Sequence, residues 1–296
     1  MSSQYRVSAI VSTYNSERFL RGCLEDLVQQ TLFQRNELEV IVVNTGSQQG
    51  EDTLVSELQK NYPQIVSIRI GQRETIYQAW NRGARAASGE YVTNANTDDR
   101  HRADALEVMA SELDADPETA LVYGDMFVTN FENQTFDSHI RSGYHVRPDF
   151  SPDIMLSGCH MGPQPMWRRR LWDEIGGFRE DLRSAGDYEY WCRIALKHPM
   201  RHLREFLGLY YDNPDGFVNQ DQTLSDRETV HVKQQYSGRF PAPRAHYTSN
   251  LHYTGQIEKD RYVNIGMVTF NRLEFTKQAI DAVVRFTNFP YALTVV

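Results

Sequence analysis

The sequence predicts an α/β fold with a mostly parallel central sheet flanked by helices, and three observations predict it. Short apolar runs rich in Val and Ile alternate with amphipathic stretches, the pattern of successive βαβ units. The apolar spacing inside the longer stretches follows the 3.6-residue period of a helix. Polar residues gather where strands end, most densely in Asn94-Ala95-Asn96-Thr97-Asp98-Asp99-Arg100, and open α/β sheets bind ligands at the carboxyl ends of their strands.

Each element follows from its residues. Val7 to Thr13 (VSAIVST) is a buried first strand. Asn15 or Ser16 can cap the next helix, with Glu17 in its first turn and Phe19, Leu20, Cys23, Leu24, Leu27 and Val28 on one face. That helix ends near Gln30. Leu38 to Val43 is a second strand, Thr53 to Leu58 lies in a second helix, Ile65 to Ile70 is a third strand and Ile76 to Ala87 a third helix, stopped by Gly89. Glu90 to Thr93 opens a fourth strand, Ala103 to Ala115 a helix broken by Asp116-Pro117, and Ala120 to Asn130 a further strand. Residues 131 to 165 hold four prolines and three glycines and predict a long irregular segment beside the site. Order returns with Pro165 to Arg168, helices at Arg170 to Ile175 and Tyr188 to Lys197, a strand at Leu203 to Tyr211 and a helix at Gln222 to Tyr236.

Composition narrows the function. A chain of 296 residues can hold two domains, and its net charge of −8 argues against a nucleic-acid binder. No apolar run reaches the roughly 18 residues of a membrane span, and the N-terminal one is too short for a signal peptide, so the expected place is the cytoplasm, with peripheral membrane association compatible. Cys23, Cys159 and Cys192 form no CxxC pair, which points to reduced thiols rather than a disulfide framework. P-loop, dinucleotide, zincin and hydrolase-elbow motifs are absent from the sequence.

The C-terminus carries a repeat. Val263 to Asn271 (VNIGMVTFN) matches Val7 to Asn15 (VSAIVSTYN), with Thr13/Thr269, Tyr14/Phe270 and Asn15/Asn271 in register; a helix at Glu274 to Arg285 and a strand at Tyr291 to Val296 follow in the same order. The expected organisation is a first domain over 1–237, a linker over 238–258 and, over 259–296, the start of a second copy cut short.

Taken in order, VSTYNSERFL, EVIVVNTGS, WNRGARAASGEYVTNANTDD, IGGFREDL and GDYEYWCRIA resemble the inverting family-2 glycosyltransferases of GT-A fold over roughly residues 5 to 236. The repeat resembles polysaccharide-building members with two such domains. The resemblance implies transfer of a sugar from a nucleoside diphosphate donor, UDP-linked, to a saccharide or other hydroxyl acceptor. The family's DxD element maps to Asn96-Thr97-Asp98, followed by Asp99. Asp98 and then Asp99 are thus the candidate ligands of Mn²⁺ or Mg²⁺, which would offset charge on the leaving diphosphate. The resemblance places Thr13, Tyr14, Glu17 and Asn44 at the nucleoside, with Tyr14 able to stack on the base, and Asn81 and Arg82 near the donor. Trp167 would offer an apolar face to a sugar ring and Arg168 would pair with phosphate. The family's Glu-Asp pair maps to Gly186-Asp187, making Asp187 the expected general base. Three acids of the family are absent, replaced by Asn44, Asn96 and Gly186. They motivate a rival expectation: a GT-A-shaped nucleotide-binding or scaffolding domain without turnover. A hydrolase with two facing carboxylates has no support in the order of motifs. Cys159 beside His160 is expected to be a buried thiol and not a nucleophile.

Overall fold

The computed structural model describes residues 5–242, 250–252, 263–267, 273–286 and 291–295. The chain divides into two units, Met1–Tyr253 and Thr254–Val296.

The first unit begins with β1 (Val7–Thr13), α1 (Glu17–Val28), the short α2 (Thr31–Gln34), β2 (Leu38–Thr45), α3 (Glu51–Gln59), β3 (Ile65–Ile70), α4 (Ile76–Ala86) and β4 (Tyr91–Asn94). It continues through β5 (Arg100–His101), α5 (Ala105–Ala115), β6 (Leu121–Thr129), β7 (Gly143–His145), β8 (Met166–Arg168), α6 (Arg170–Ile175), α7 (Gly186–Ala195) and β9 (Met200–Tyr211). It closes with α8 (Phe217–Gln220), α9 (Gln222–Tyr236) and β10 (Asn250–His252).

One mixed sheet runs β10-β7-β6-β8-β4-β1-β2-β3, with β9 paired to β6 and to β5. Its half made of β3, β2, β1 and β4 is parallel, as the alternating pattern requires. The other half is mixed: β8 runs antiparallel to both β4 and β6, and β7 antiparallel to β6, whereas β9, reached through α6 and α7, runs parallel to β6. The segment expected to be irregular contributes β7, and a strand, β10, lies in the stretch expected to be a linker and pairs with β7.

Alternation along β1 sends Ile10 to one face and Val7, Ala9 and Val11 to the other, where they join two separate cores. All six apolar residues expected on α1 are buried; Leu20, Cys23, Leu24, Leu27 and Val28 join the core on one face, and Phe19 lies against Tyr211. On the other lies an aromatic core in which Tyr77, Trp80, Trp167, Phe178, Tyr190 and Trp191 meet, largely edge to face. α4 starts with a capping box: Thr75 Oγ1 accepts from Gln78 N, and Gln78 Oε1 accepts from Thr75 N.

The second unit contains β11 (Val263–Met267), α10 (Leu273–Phe286) and β12 (Tyr291–Val295), with β11 and β12 parallel. Val7 pairs with Leu38 in the first unit and Val263 with Tyr291 in the second. Thr269, Phe270 and Asn271 lie outside the described residues. Among the described residues no helix is long and apolar enough to cross a membrane.

Candidate active site

The parallel half of the sheet brings three loops to one edge. Thr13 stands opposite Asn44, and Asn94 opposite Ile10, so the chain leaves β1, β2 and β4 on the same side. The first two loops are laced together. Asn15 holds a left-handed backbone (φ 49°), its N–H donates to Ser47 Oγ (3.1 Å) and its Oδ1 accepts from Gln48 N (2.8 Å). Ser16 sits at the cap of α1, yet its hydroxyl pairs with Thr13 Oγ1 (2.8 Å) and its N–H donates to Glu51 Oε1 (2.8 Å).

This lacing engages several residues expected at the nucleoside. Glu17 Oε2 accepts from Gly50 N at 3.0 Å, at the start of α3. Asn44 is buried with both ends of its amide engaged: Oδ1 accepts from Ser47 N (3.0 Å) and Nδ2 donates to Asp52 Oδ1 (2.7 Å). Each end of the amide thus makes one hydrogen bond within the loops, with one Nδ2–H and one Oδ1 lone pair left over. Tyr14 differs. Its ring stands half-exposed, and the Arg73 guanidinium lies 4.5 Å from its centroid. Arg73 is exposed and forms no ion pair among the described residues. Sequence reasoning passed over it because a lone arginine before a helix carries no periodic signal.

The acidic turn after β4 is built around a buried cation. Arg100 Nη1 donates to the carbonyls of Thr97 (2.9 Å) and Asp99 (2.6 Å), and Nη2 to Asn133 Oδ1 (3.1 Å). Asp99 points inward: Oδ2 accepts from Asn96 Nδ2 (3.1 Å) and Oδ1 from Tyr211 N (3.4 Å). Burial, then the charge of Asp98, holds its carboxyl well above the ordinary value. Asp98 is partly exposed, with Oδ2 held by Asn213 Nδ2 at 2.9 Å. Asn96 Oδ1 is buried and lacks a hydrogen-bond partner, the state of an oxygen whose partner is a water, ion or ligand. Asp98 and Asn96 therefore offer hard oxygen to a divalent ion, whereas Asp99 is buried with each oxygen accepting one hydrogen bond. Among the described residues no group of three His, Cys, Asp or Glu could hold a metal by itself, so such an ion would need ligand oxygens as well.

Asp187 lies in the first turn of α7. Its Oδ1 accepts from the Tyr77 hydroxyl (3.1 Å), and Cys159 Sγ is 4.0 Å from Oδ2. Burial raises its pKa above the ordinary carboxylate value, against the lowering effect of the Tyr188 N–H and the Tyr77 hydroxyl. A Cβ on Gly186 would come 2.7 Å from the Tyr77 ring, so the acid that precedes the base in the family has no room here. The Cys159 thiol is pushed well up by burial and by Asp187 and stays protonated, and burial lowers His160 to about 4, leaving it neutral.

Four expected donor contacts are placed elsewhere or committed to the scaffold. Trp167 is fully buried in the aromatic core on a strand covered on both faces, so it presents no face to a sugar. Arg168 pairs in register with Tyr91, at the amino end of β4, and donates to the carbonyls of Thr119 (2.9 Å) and Leu113 (2.5 Å). Asn81 grips the backbone of Phe178 and the carboxylate of Glu180. Arg82 makes a bidentate pair with Glu74, both bonds at 2.6 Å.

Comparison with known proteins identifies the fold and the family. The family model described as Glycosyl transferase family 2 matches residues 8–176. The chain is 26% identical over 199 residues to chondroitin synthase of Escherichia coli, covering 67% of this chain and 28% of that protein. It is 27% identical over 199 residues to hyaluronan synthase of Pasteurella multocida, covering 67% and 20%. The chain thus spans less than a third of these two relatives. S. aureus TarS 1–349, solved in complex with UDP-GlcNAc, superposes with a TM-score of 0.63 at 20% identity over 79% of this chain and 66% of that one. The mannosyltransferase PcManGT from Pyrobaculum calidifontis, in complex with GDP-Man and Mn2+, gives 0.59 at 20% identity over 80% and 65%. The fold is that of the GT-A glycosyltransferases. With more than half its length matched by the family model, the chain belongs to glycosyl transferase family 2, a family of transferase enzymes.

Proposed function

We propose that the first unit transfers a sugar from a nucleoside diphosphate donor, UDP-linked, to a hydroxyl of a saccharide acceptor with inversion, and that Asp187 is the base. The observation that carries the reading is the pair of acids, each in its own setting: the partly exposed Asp98 beside the unpartnered Asn96 Oδ1, and Asp187 at the N-terminus of α7 with a raised affinity for a proton. The half-exposed Tyr14 ring, faced by Arg73, supplies a flat surface and a positive charge suited to a base and its phosphates. Asp98, with Asn96 Oδ1, would hold Mn²⁺ or Mg²⁺. Such an ion supplies neutralisation of the negative charge that accumulates on the diphosphate as it leaves.

In the transfer itself, Asp187 takes the proton of the acceptor hydroxyl while that oxygen bonds to the anomeric carbon from the face opposite the leaving group. The bond from that carbon to the phosphate oxygen breaks, and its electron pair departs with the nucleoside diphosphate. One acid is enough for a single displacement, so the lack of a second at Gly186 is compatible with turnover. We further read the second unit as a repeat of the first unit's β1–α1–β2 order, supported by its parallel strand–helix–strand arrangement.

Calorimetry with UDP in the presence and absence of Mn²⁺, followed by UDP release from a panel of UDP-sugars with saccharide acceptors, tests the reading. Asp98→Ala should lose the Mn²⁺ dependence of UDP binding. Asp187→Ala should bind UDP normally and lose transfer, and near-normal turnover would remove the base assignment. The three positions at which the family's acids are replaced, Asn44, Asn96 and Gly186, motivate one rival, a nucleotide-binding scaffold. UDP binding without release from any donor would support it.

A further inference from the structure

The site contains a second polar group on Asp187 that the reaction as written does not use. Tyr77 is buried, and its ring is fixed on three sides: Trp80 edge-on with centroids 5.5 Å apart, Phe178 stacked at 6.1 Å, and the backbone of Gly186, where no side chain could fit. Phe178 is itself locked by Asn81, which accepts from its N–H (2.8 Å) and donates to its carbonyl (2.9 Å). A ring held this way delivers its hydroxyl to one place, Oδ1 of Asp187.

We propose that Tyr77 is the positioning residue of the acceptor-side base: its hydroxyl occupies Oδ1 of Asp187, so that Oδ2, the oxygen beside Cys159, is the one that receives the acceptor proton. The inference rests on Asp187 being the base. Tyr77 does for the carboxylate what a neighbouring charged acid cannot. It orients the group, and it stabilises the ionised form by donating a hydrogen bond in a buried setting. The glycine at 186 and the tyrosine at 77 are then one device, since the absence of a side chain at 186 is what lets the ring reach the carboxylate.

The groups acting on Asp187 come from four elements: the Tyr77 hydroxyl on α4, the Cys159 thiol in the loop before β8, the N–H groups of Tyr188 and of Asp187 itself on α7 and, at longer range, the Glu228 carboxylate on α9. Glu228 is itself occupied at the start of α7, accepting from the N–H groups of Ser184 (2.8 Å) and Ala185 (3.0 Å). Of the four, Tyr77 alone gives a side-chain hydrogen bond of ordinary length.

Two readouts test the assignment. In protein labelled with ¹³C at aspartate carboxyls, the resonance missing from Asp187→Asn identifies Asp187, and its titration midpoint is followed with pH. Tyr77→Phe, which keeps the ring, should raise that midpoint by about one pH unit, whereas 3-fluorotyrosine at 77, a stronger donor of nearly the same size, should lower it. A midpoint unmoved by both changes overturns the proposal. For any UDP-sugar that the wild type turns over, the acid limb of the pH–rate profile should shift with the midpoint. A purely structural Tyr77 would lower the rate at every pH without moving the limb. If Asp187→Asn retains donor turnover, the base reading fails, a result separate from an unmoved midpoint.

Discussion

Replacing Asn81 separates a scaffold role from a donor contact. The side chain is 5% exposed and makes three hydrogen bonds across 97 to 99 residues of sequence: Nδ2 to Phe178 O, Nδ2 to Glu180 Oε1 at 2.7 Å, and Oδ1 from Phe178 N. Asn81→Ala strands the N–H and carbonyl of Phe178 inside the aromatic core. At about 1–3 kcal/mol for each buried group left unpaired, the expected loss is about 3 kcal/mol. For a unit of this size each kcal/mol lowers Tm by about 2–4 °C, so the variant should melt about 6–12 °C below the parent. Thermal unfolding followed by circular dichroism measures this, and UDP calorimetry on the same samples reports the site. The account expects a large drop in Tm with UDP affinity within about twofold at a temperature where both proteins are folded. A Tm within about 2 °C of the parent together with a tenfold weaker UDP affinity would refute it, and would return Asn81 to the donor as the family resemblance implied.

Two further outcomes follow from the same geometry. Gly186→Ala puts a Cβ 2.7 Å from the Tyr77 ring, which should cost about 1–3 kcal/mol in chemical denaturation and depress turnover; an unchanged midpoint would mean the ring has room to move. His202 is buried between Asp125 (2.8 Å) and Asp149 (3.0 Å); burial lowers its pKa, but the two carboxylates outweigh that and leave it above the ordinary 6.5. A proton held more tightly by the folded chain stabilises it fully below the unfolded value and less as pH rises through the raised one. Tm should therefore fall across that window in the parent, and His202→Asn should flatten the slope; a parallel slope in both proteins would dismiss the network.

Much of the first half was legible from its residues because its longer elements display their period, whereas the four-residue α2 and the two-residue β5 are too short to do so. Six apolar positions on α1 and the Val- and Ile-rich centres of β1 and β2 specify a helix face and doubly covered strands. The second half resists such reading. β8 has three residues, too few to reveal alternation, and it lies between β4 and β6, so Trp167 and Arg168 face the interior although their types suggest a sugar and a phosphate. Local sequence equally conceals Arg100 as the buried cation of the acidic turn, because its partners include Asn133, thirty-three residues away. Gly186 seemed a missing acid. It becomes intelligible only when the fold brings Tyr77, 110 residues from Asp187, onto it.

The central claim is that the edge where β1, β2 and β4 end binds a nucleoside diphosphate through a divalent ion held by Asp98. Crystals soaked with MnCl₂ and UDP and measured at the manganese absorption edge test it most directly. The account predicts one strong anomalous peak in bonding contact with the Asp98 carboxylate and with diphosphate oxygens, lost in Asp98→Ala. Ordered UDP with manganese away from Asp98, or UDP at another edge of the sheet, would contradict it.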